Sequence, residues 1–192
     1  MSRPLFTVCI PTIGRPTLPR TLESIPAGVE VIVVADTHEM DVGTFANVQA
    51  YTRGRCLAFD AGRHDMGSPQ IDWAFRKHAS GRWLLNCGDD DVYEPRAFTL
   101  MEQAISEQQG PAYPLMFKVE LLPNTMRGGV ASTFLWSDRR IERFVVTGQS
   151  FACPNDPERF GDWENDWRFM QTTVANYGGA VDWRDELIAR CY

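Results

Sequence analysis

Asp89, Asp90 and Asp91 stand side by side, directly after the apolar run WLLNC at 83–87 and Gly88. Three adjacent carboxylates repel one another, and a cation among them relieves that repulsion. Carboxylate oxygens are hard ligands, and Mg²⁺ or Mn²⁺ is commonly held by one or two of them together with substrate phosphates. The same run also fits a solvated acidic turn, or a helix N-terminus where negative charge meets the positive end of the dipole. A calcium loop does not fit, because the D-x-D-x-D-G spacing and its distal Glu are missing. A second acidic group, Asp162, Glu164 and Asp166, lies in GDWENDWR at 161–168 and suits the start of an amphipathic helix. Asp36 ends another apolar run, where an Asp readily serves a turn or caps a helix.

These residues must be carried by strands and helices that the hydrophobic pattern locates. LFTVCI at 5–10, ended by Pro11, and VEVIVVA at 29–35 read as buried strands. Between them, Leu18, Leu22 and Ile25 share one face at helical spacing. Strand, helix and strand make a βαβ unit, so the sheet is expected to be mostly parallel and covered by helices on both faces. A short strand is expected near Cys56 to Phe59, a loop over 61–69 and a helix over 71–80 closed by Gly81. The strand over 82–87 then runs into the aspartates, and a helix follows over 96–107. That placement puts the three aspartates at the carboxyl end of a strand, where open α/β sheets bind ligands. Further on, 113–122, 132–137 and 144–150 read as strands, with the turn NTMRGG after the first of them. A helix over 163–177 follows a polar loop. The reading is a single α/β domain over 1–192.

Composition narrows the partners. The net charge is −6 and the pI about 5.1, so a global electrostatic hold on nucleic acid is not expected. Cys9, Cys56, Cys87, Cys153 and Cys191 are scattered without a CxxC pair, which points to reduced, mostly buried thiols rather than zinc ligands or a disulfide framework. No signal-like segment or membrane-length apolar run occurs, and the expected location is cytoplasmic. Phosphate-loop, dinucleotide and nucleophile-elbow motifs are missing from the sequence. Arg139, Arg140 and Arg143 read as a solvated face.

FTVCIPTIGRPTLPRTLESI, then VEVIVVAD, then ASGRWLLNCGDDDVYEP resembles the family 2-like glycosyltransferases of GT-A fold. Members open with a strand ending in I-P-T, have a second strand ending in acidic residues, and carry a later A-x-G-x-x-I-x-x-L-D-x-D-D segment. The resemblance covers roughly the first hundred residues well. It implies a GT-A-like fold with a nucleotide-sugar-binding half over 1–95 and an acceptor and catalytic-base half over 96–192. It further implies transfer of a sugar from a nucleotide-diphosphate donor, UDP-linked by preference, to an acceptor hydroxyl, with Mn²⁺ or Mg²⁺ as cofactor. Pro11 and Thr12 would line the nucleotide pocket, and Asp36 would accept from the nucleobase. Asp90 would sit near the ribose and diphosphate, and Asp91 would lead the metal ligands with Asp89 assisting.

GDWENDWR looks like the family's E-D motif, whose aspartate opens a helix and acts as base. An inverting transfer needs such a carboxylate for the acceptor hydroxyl's proton. Asp166 is the first choice, then Glu164, then Asp162. Trp163 and Trp167 would either flank the acceptor or belong to the core. His38, His64 and His78 all precede the aspartates, so the late histidine many members give the metal has no counterpart here. Arg63 and His64 could touch the donor from the loop before the helix. Two departures stand out: Gly88 where members often have an acidic residue, and Asn165 for Glu in the second motif. They leave open a binding module that does not transfer sugar. A sugar nucleotidyltransferase fits less well, because TIGRPTLPR lacks that class's paired glycines and lysine. A homo-oligomer that completes the acceptor site is a further expectation.

Overall fold

The computed structural model describes residues 3–52, 55–60, 62, 67–122, 133–134, 139–142, 147–161 and 163–192. Among these, nine strands form one sheet in the order β3-β2-β1-β4-β8-β6-β9-β5, with β7 paired to β6. The first half supplies β1 (Phe6–Thr12), α1 (Leu18–Glu23), β2 (Glu30–Asp36), α2 (Val42–Tyr51), β3 (Arg55–Phe59), α3 (Ser68–Lys77), β4 (Trp83–Asn86) and β5 (Val92–Tyr93). The second supplies α4 (Ala97–Glu107), β6 (Leu115–Leu121), β7 (Thr133–Phe134), β8 (Phe151–Pro154), α5 (Asp166–Asn176) and β9 (Asp182–Cys191). β3, β2, β1 and β4 run parallel, β8 is antiparallel to β4 and β6, and β9 is parallel to β6. The sheet is therefore mostly parallel, with helices on both faces.

Alternate residues of the strands feed two cores. Val8, Ile10, Val33 and Leu85 pack with Leu18, Leu22, Phe98 and Met101 on one face. Cys9, Ile32, Val34 and Leu84 pack with Ile71, Phe75 and Phe169 on the other. Burial on both faces explains why β1, β2 and β4 read as continuous apolar runs.

Several boundaries shift for physical reasons. β1 continues through Pro11 to Thr12. Cys9 directs its carbonyl to Cys87 N–H at 3.0 Å, so Pro11, two residues on, directs its missing N–H toward the same edge. The β4 pairing has already ended there, at Asn86. α3 begins at Ser68 rather than 71, with Pro69 in its first turn, where a missing N–H costs nothing. It ends at Lys77, so Gly81 does not cap it. Gly81 instead lies against β1, where a Cβ would sit 2.5 Å from the backbone nitrogen of Thr7.

α2, β8 and β9 have no counterpart in the sequence reading. α2 buries little beyond Val48, and its Val42 is 85% exposed, so its helical periodicity is weak; its start is fixed by Asp41, which accepts from Thr44 N–H at 3.0 Å. Irregularities opposite Phe117 and Lys118 break the period-two pattern of β9. The strand expected over 144–150 is instead a 3-10 turn at Gly148–Ser150, with the strand beginning at Phe151; 143–146 lie outside the described residues.

Candidate functional site

β2, β1 and β4 are adjacent and parallel, about 4.8 Å apart, so their carboxyl ends open on one edge of the sheet. Asp36 closes β2, Thr12 closes β1, and Gly88 to Asp91 follow β4. The sequence-expected donor residues therefore share one rim. Asp36 is 2% exposed and accepts from His38 N–H at 3.1 Å. Pro11 backs onto Gly67 at the N-terminus of α3, so closely that a Cβ there would lie 2.5 Å from the proline ring.

The aspartates turn back on themselves through Asp91 N–H to Gly88 carbonyl, 3.3 Å. A Cβ at Gly88 would meet Asp91 Oδ2 at 2.6 Å and Asp90 Oδ1 at 2.9 Å. A side chain at position 88 would therefore have to displace both carboxylates. An acidic side chain at that position would have to push them apart. α1 braces the turn from below: Thr21 Oγ1 donates to the Asp91 carbonyl at 2.7 Å and Arg20 Nη2 to the Asp90 carbonyl at 3.1 Å.

The three carboxylates face different surroundings. Asp89 is 3% exposed; its Oδ2 accepts from Thr12 Oγ1 at 2.6 Å and its Oδ1 from Arg15 Nη1 at 2.9 Å. Asp91 is 5% exposed, with Oδ1 accepting from Tyr192 N–H at 3.1 Å and Oδ2 from the Gln149 amide. Burial, reinforced by the charge of Asp90, pushes the Asp91 carboxyl up to about 7. Asp90 is the carboxylate that reaches the surface, its side chain 31% exposed, and it accepts from the same Arg15 nitrogen at 2.9 Å. Burial raises its pKa, the Arg15 guanidinium opposes the rise, and Asp89 adds to it.

Asp166 opens α5, and Asn165 caps the helix by accepting from Arg168 N–H at 3.0 Å. The Asp166 carboxylate accepts from Gly148 N–H at 2.9 Å. Gln149, the next residue, is the one that holds Asp91. The 3-10 turn therefore ties the second acidic group to the first. Glu164 points away into solvent and pairs with Arg168 at 3.5 Å. Asp162, Arg63, His64 and Arg143 lie outside the described residues. Trp163 belongs to the core, its ring 3.9 Å from that of Phe169 and 5.4 Å from that of Phe75; Trp167 is half-buried. His38 instead lies 3.7 Å from Asp60, and the His78 ring sits edge-on to Trp73.

Arg15 and Gln149 were not singled out from sequence. Arg15 had a usable signal, since it lies three residues past Thr12 in the loop that leaves β1. Gln149 had none, because it lies 58 residues beyond Asp91 and is brought there only by β8 entering the sheet beside β4.

Among the described residues, no three His, Cys, Asp or Glu side chains form a ready-made metal cage. The donor set nevertheless suits a hard divalent cation. Asp89 and Asp90 already hold one positive nitrogen between them at 2.9 Å from each, and both offer carboxylate oxygens.

No protein-family model and no curated protein sequence matches the chain. Solved structures do. The S. aureus TarS fragment 1–349 superposes with a TM-score of 0.70 at 15% identity, over 97% of this chain and 60% of that one. Glucosyl-3-phosphoglycerate synthase from Mycobacterium tuberculosis, in complex with Mn²⁺, UDP and glucosyl-3-phosphoglycerate, gives 0.64 at 10% identity, over 96% and 70%. A CMP-2-keto-3-deoxy-manno-octonic acid synthetase complexed with CTP gives 0.58 at 16%, over 95% and 90%. The chain thus spans about three-fifths of the TarS fragment. At these identities the likeness establishes the architecture, a GT-A-like α/β fold.

Proposed function

We propose that this chain is a metal-dependent glycosyltransferase that moves a sugar from a nucleotide-diphosphate donor, UDP-linked by preference, to an acceptor hydroxyl with inversion. One observation carries the reading: the aspartate turn after β4 and the Asp166 carboxylate are joined through Gly148 and Gln149. The proposed donor edge and the candidate base are thereby tied to one hydrogen-bonded turn. Crystals of the TarS fragment with UDP-GlcNAc, and of the mycobacterial synthase with Mn²⁺ and UDP, show the same fold accepting such ligands.

In this scheme Pro11, Thr12 and Asp36 seat the nucleoside. Asp90 leads the metal ligands because it alone of the three reaches the surface, with Asp89 behind it. Asp91, the lead expected from sequence, serves by fixing the turn. Asp90 and Asp89 would hold a divalent ion, and the chemistry it would supply is neutralisation of charge on the departing diphosphate. Asp166 takes the proton of the acceptor hydroxyl, and the Gly148 N–H keeps its carboxylate oriented.

The test is transfer and donor hydrolysis from a panel of nucleotide sugars with Mn²⁺, beside thermal shift with the same ligands. Asp166→Asn is expected to lower turnover by about 10²–10⁴-fold while donor binding persists. Full turnover in that variant would remove Asp166 from the mechanism. The synthetase likeness, which spans 90% of that chain, supports a second reading as a sugar nucleotidyltransferase. Pyrophosphate release from a nucleoside triphosphate and a sugar phosphate would favour it. Donor binding with neither reaction would indicate a binding module.

A further inference from the structure

We propose that Arg15 is an exchangeable counter-ion: it pairs with Asp89 and Asp90 and, when a divalent ion takes those carboxylates, turns to the donor's diphosphate. The inference rests on the donor reading above and assigns a role to a residue that reading leaves idle.

The geometry is specific. Gly14, at φ +86°, turns the chain after β1, and its N–H donates to Thr12 Oγ1 at 2.9 Å, which brings Arg15 back over the end of β4. A single nitrogen, Nη1, then lies 2.9 Å from Asp89 Oδ1 and 2.9 Å from Asp90 Oδ2. A divalent ion held by these two carboxylates would compete with that nitrogen for their oxygens. The two cations compete, and one must leave. Arg15 is able to, since its side chain is 38% exposed, whereas Asp89 is fixed at 4% by Thr12. A guanidinium released at this rim retains a planar fork of donors suited to paired phosphate oxygens. The incoming diphosphate therefore offers Arg15 a new partner at the moment the metal takes its old one. Thermodynamically, metal and nucleoside diphosphate each strengthen the other's binding, and Arg15 carries part of that coupling.

Arg20 provides the control. It brings the same charge to the same turn, but its Nη2 bonds the Asp90 backbone carbonyl at 3.1 Å rather than a carboxylate.

The experiment is calorimetric titration of Mn²⁺ into the metal-free chain, with and without UDP, for wild type, R15Q, R15K and R20Q. Circular dichroism melts verify that each variant is folded. R15Q is expected to bind Mn²⁺ alone about fivefold more tightly than wild type, the scale of one partly exposed ion pair. The enhancement of Mn²⁺ affinity by UDP should shrink in the same variant. R15K, which keeps a competing charge, should fall between the two, and R20Q, which removes the same charge from the turn but no carboxylate partner, should gain less than R15Q. Equal Mn²⁺ affinity in wild type and R15Q with the UDP enhancement intact overturns the exchange and leaves the donor reading standing. An equal gain in R15Q and R20Q also overturns it, because the effect is then only one of net charge. Failure of every variant, including wild type, to bind UDP at any Mn²⁺ concentration overturns the donor reading and the exchange together.

Discussion

Asp90 and Asp91 are neighbours in sequence yet occupy opposite environments. Asp90 meets solvent and Arg15, whereas both oxygens of Asp91 are engaged inside the protein. Asp90→Asn is therefore expected to weaken Mn²⁺-dependent UDP binding by about tenfold or more while leaving the melting temperature nearly unchanged, measured by calorimetry and thermal melts. Asp91 governs pH dependence instead. Burial and the Asp90 charge raise its pKa from 3.8 to about 7, so the folded chain keeps a proton that the unfolded chain releases near 3.8. The stability this group contributes is complete below that lower value and is lost as pH rises toward about 7. Asp90, also raised, acts in the same direction. Melts in chelator should fall as pH goes from about 5 to about 7 and level off above, more steeply in wild type than in Asp91→Asn, with His78, whose pKa burial lowers, opposing in the same window; a profile unchanged by Asp91→Asn would contradict the assignment.

At the scale of elements, the approach of β4 to β1 depends on Gly81. A Cβ there would lie 2.5 Å from the Thr7 backbone nitrogen and 2.6 Å from the Phe6 carbonyl carbon, and backbone in mid-sheet cannot easily yield. Gly81→Ala is expected to cost about 1–3 kcal/mol in urea unfolding. It should also loosen the turn that carries the aspartates, because β4 delivers them. Replacing Asp41, the cap of α2, by Ala is expected to lower the melting temperature slightly, with a smaller effect on donor binding than Gly81→Ala, since α2 supplies none of the residues proposed to hold the donor. Comparing donor binding in the two variants separates an element that positions the site from one that only covers the sheet.

At the scale of the whole molecule, one sheet divides two cores and carries site residues from both halves of the chain. Leu85, 1% exposed in the core beneath α1 and α4, is expected to cost about 2–5 kcal/mol when cut to Ala, read by urea unfolding. The sequence alone determined the α/β class, β1, β2, β4 and α4, and the rim formed by Thr12, Asp36 and the aspartates. It could do so because strands buried on both faces leave uninterrupted apolar runs, and parallel strands end on a common edge. Which carboxylate meets solvent was decided by packing: Tyr192 N–H and Gln149 draw Asp91 inward, and both come from segments far along the chain. The close fit of the carboxylates around Gly88 likewise exists only once they are gathered in space. The link from Asp166 to Asp91 through Gly148 arises because β8 enters the sheet antiparallel beside β4, a long-range pairing that local periodicity does not encode.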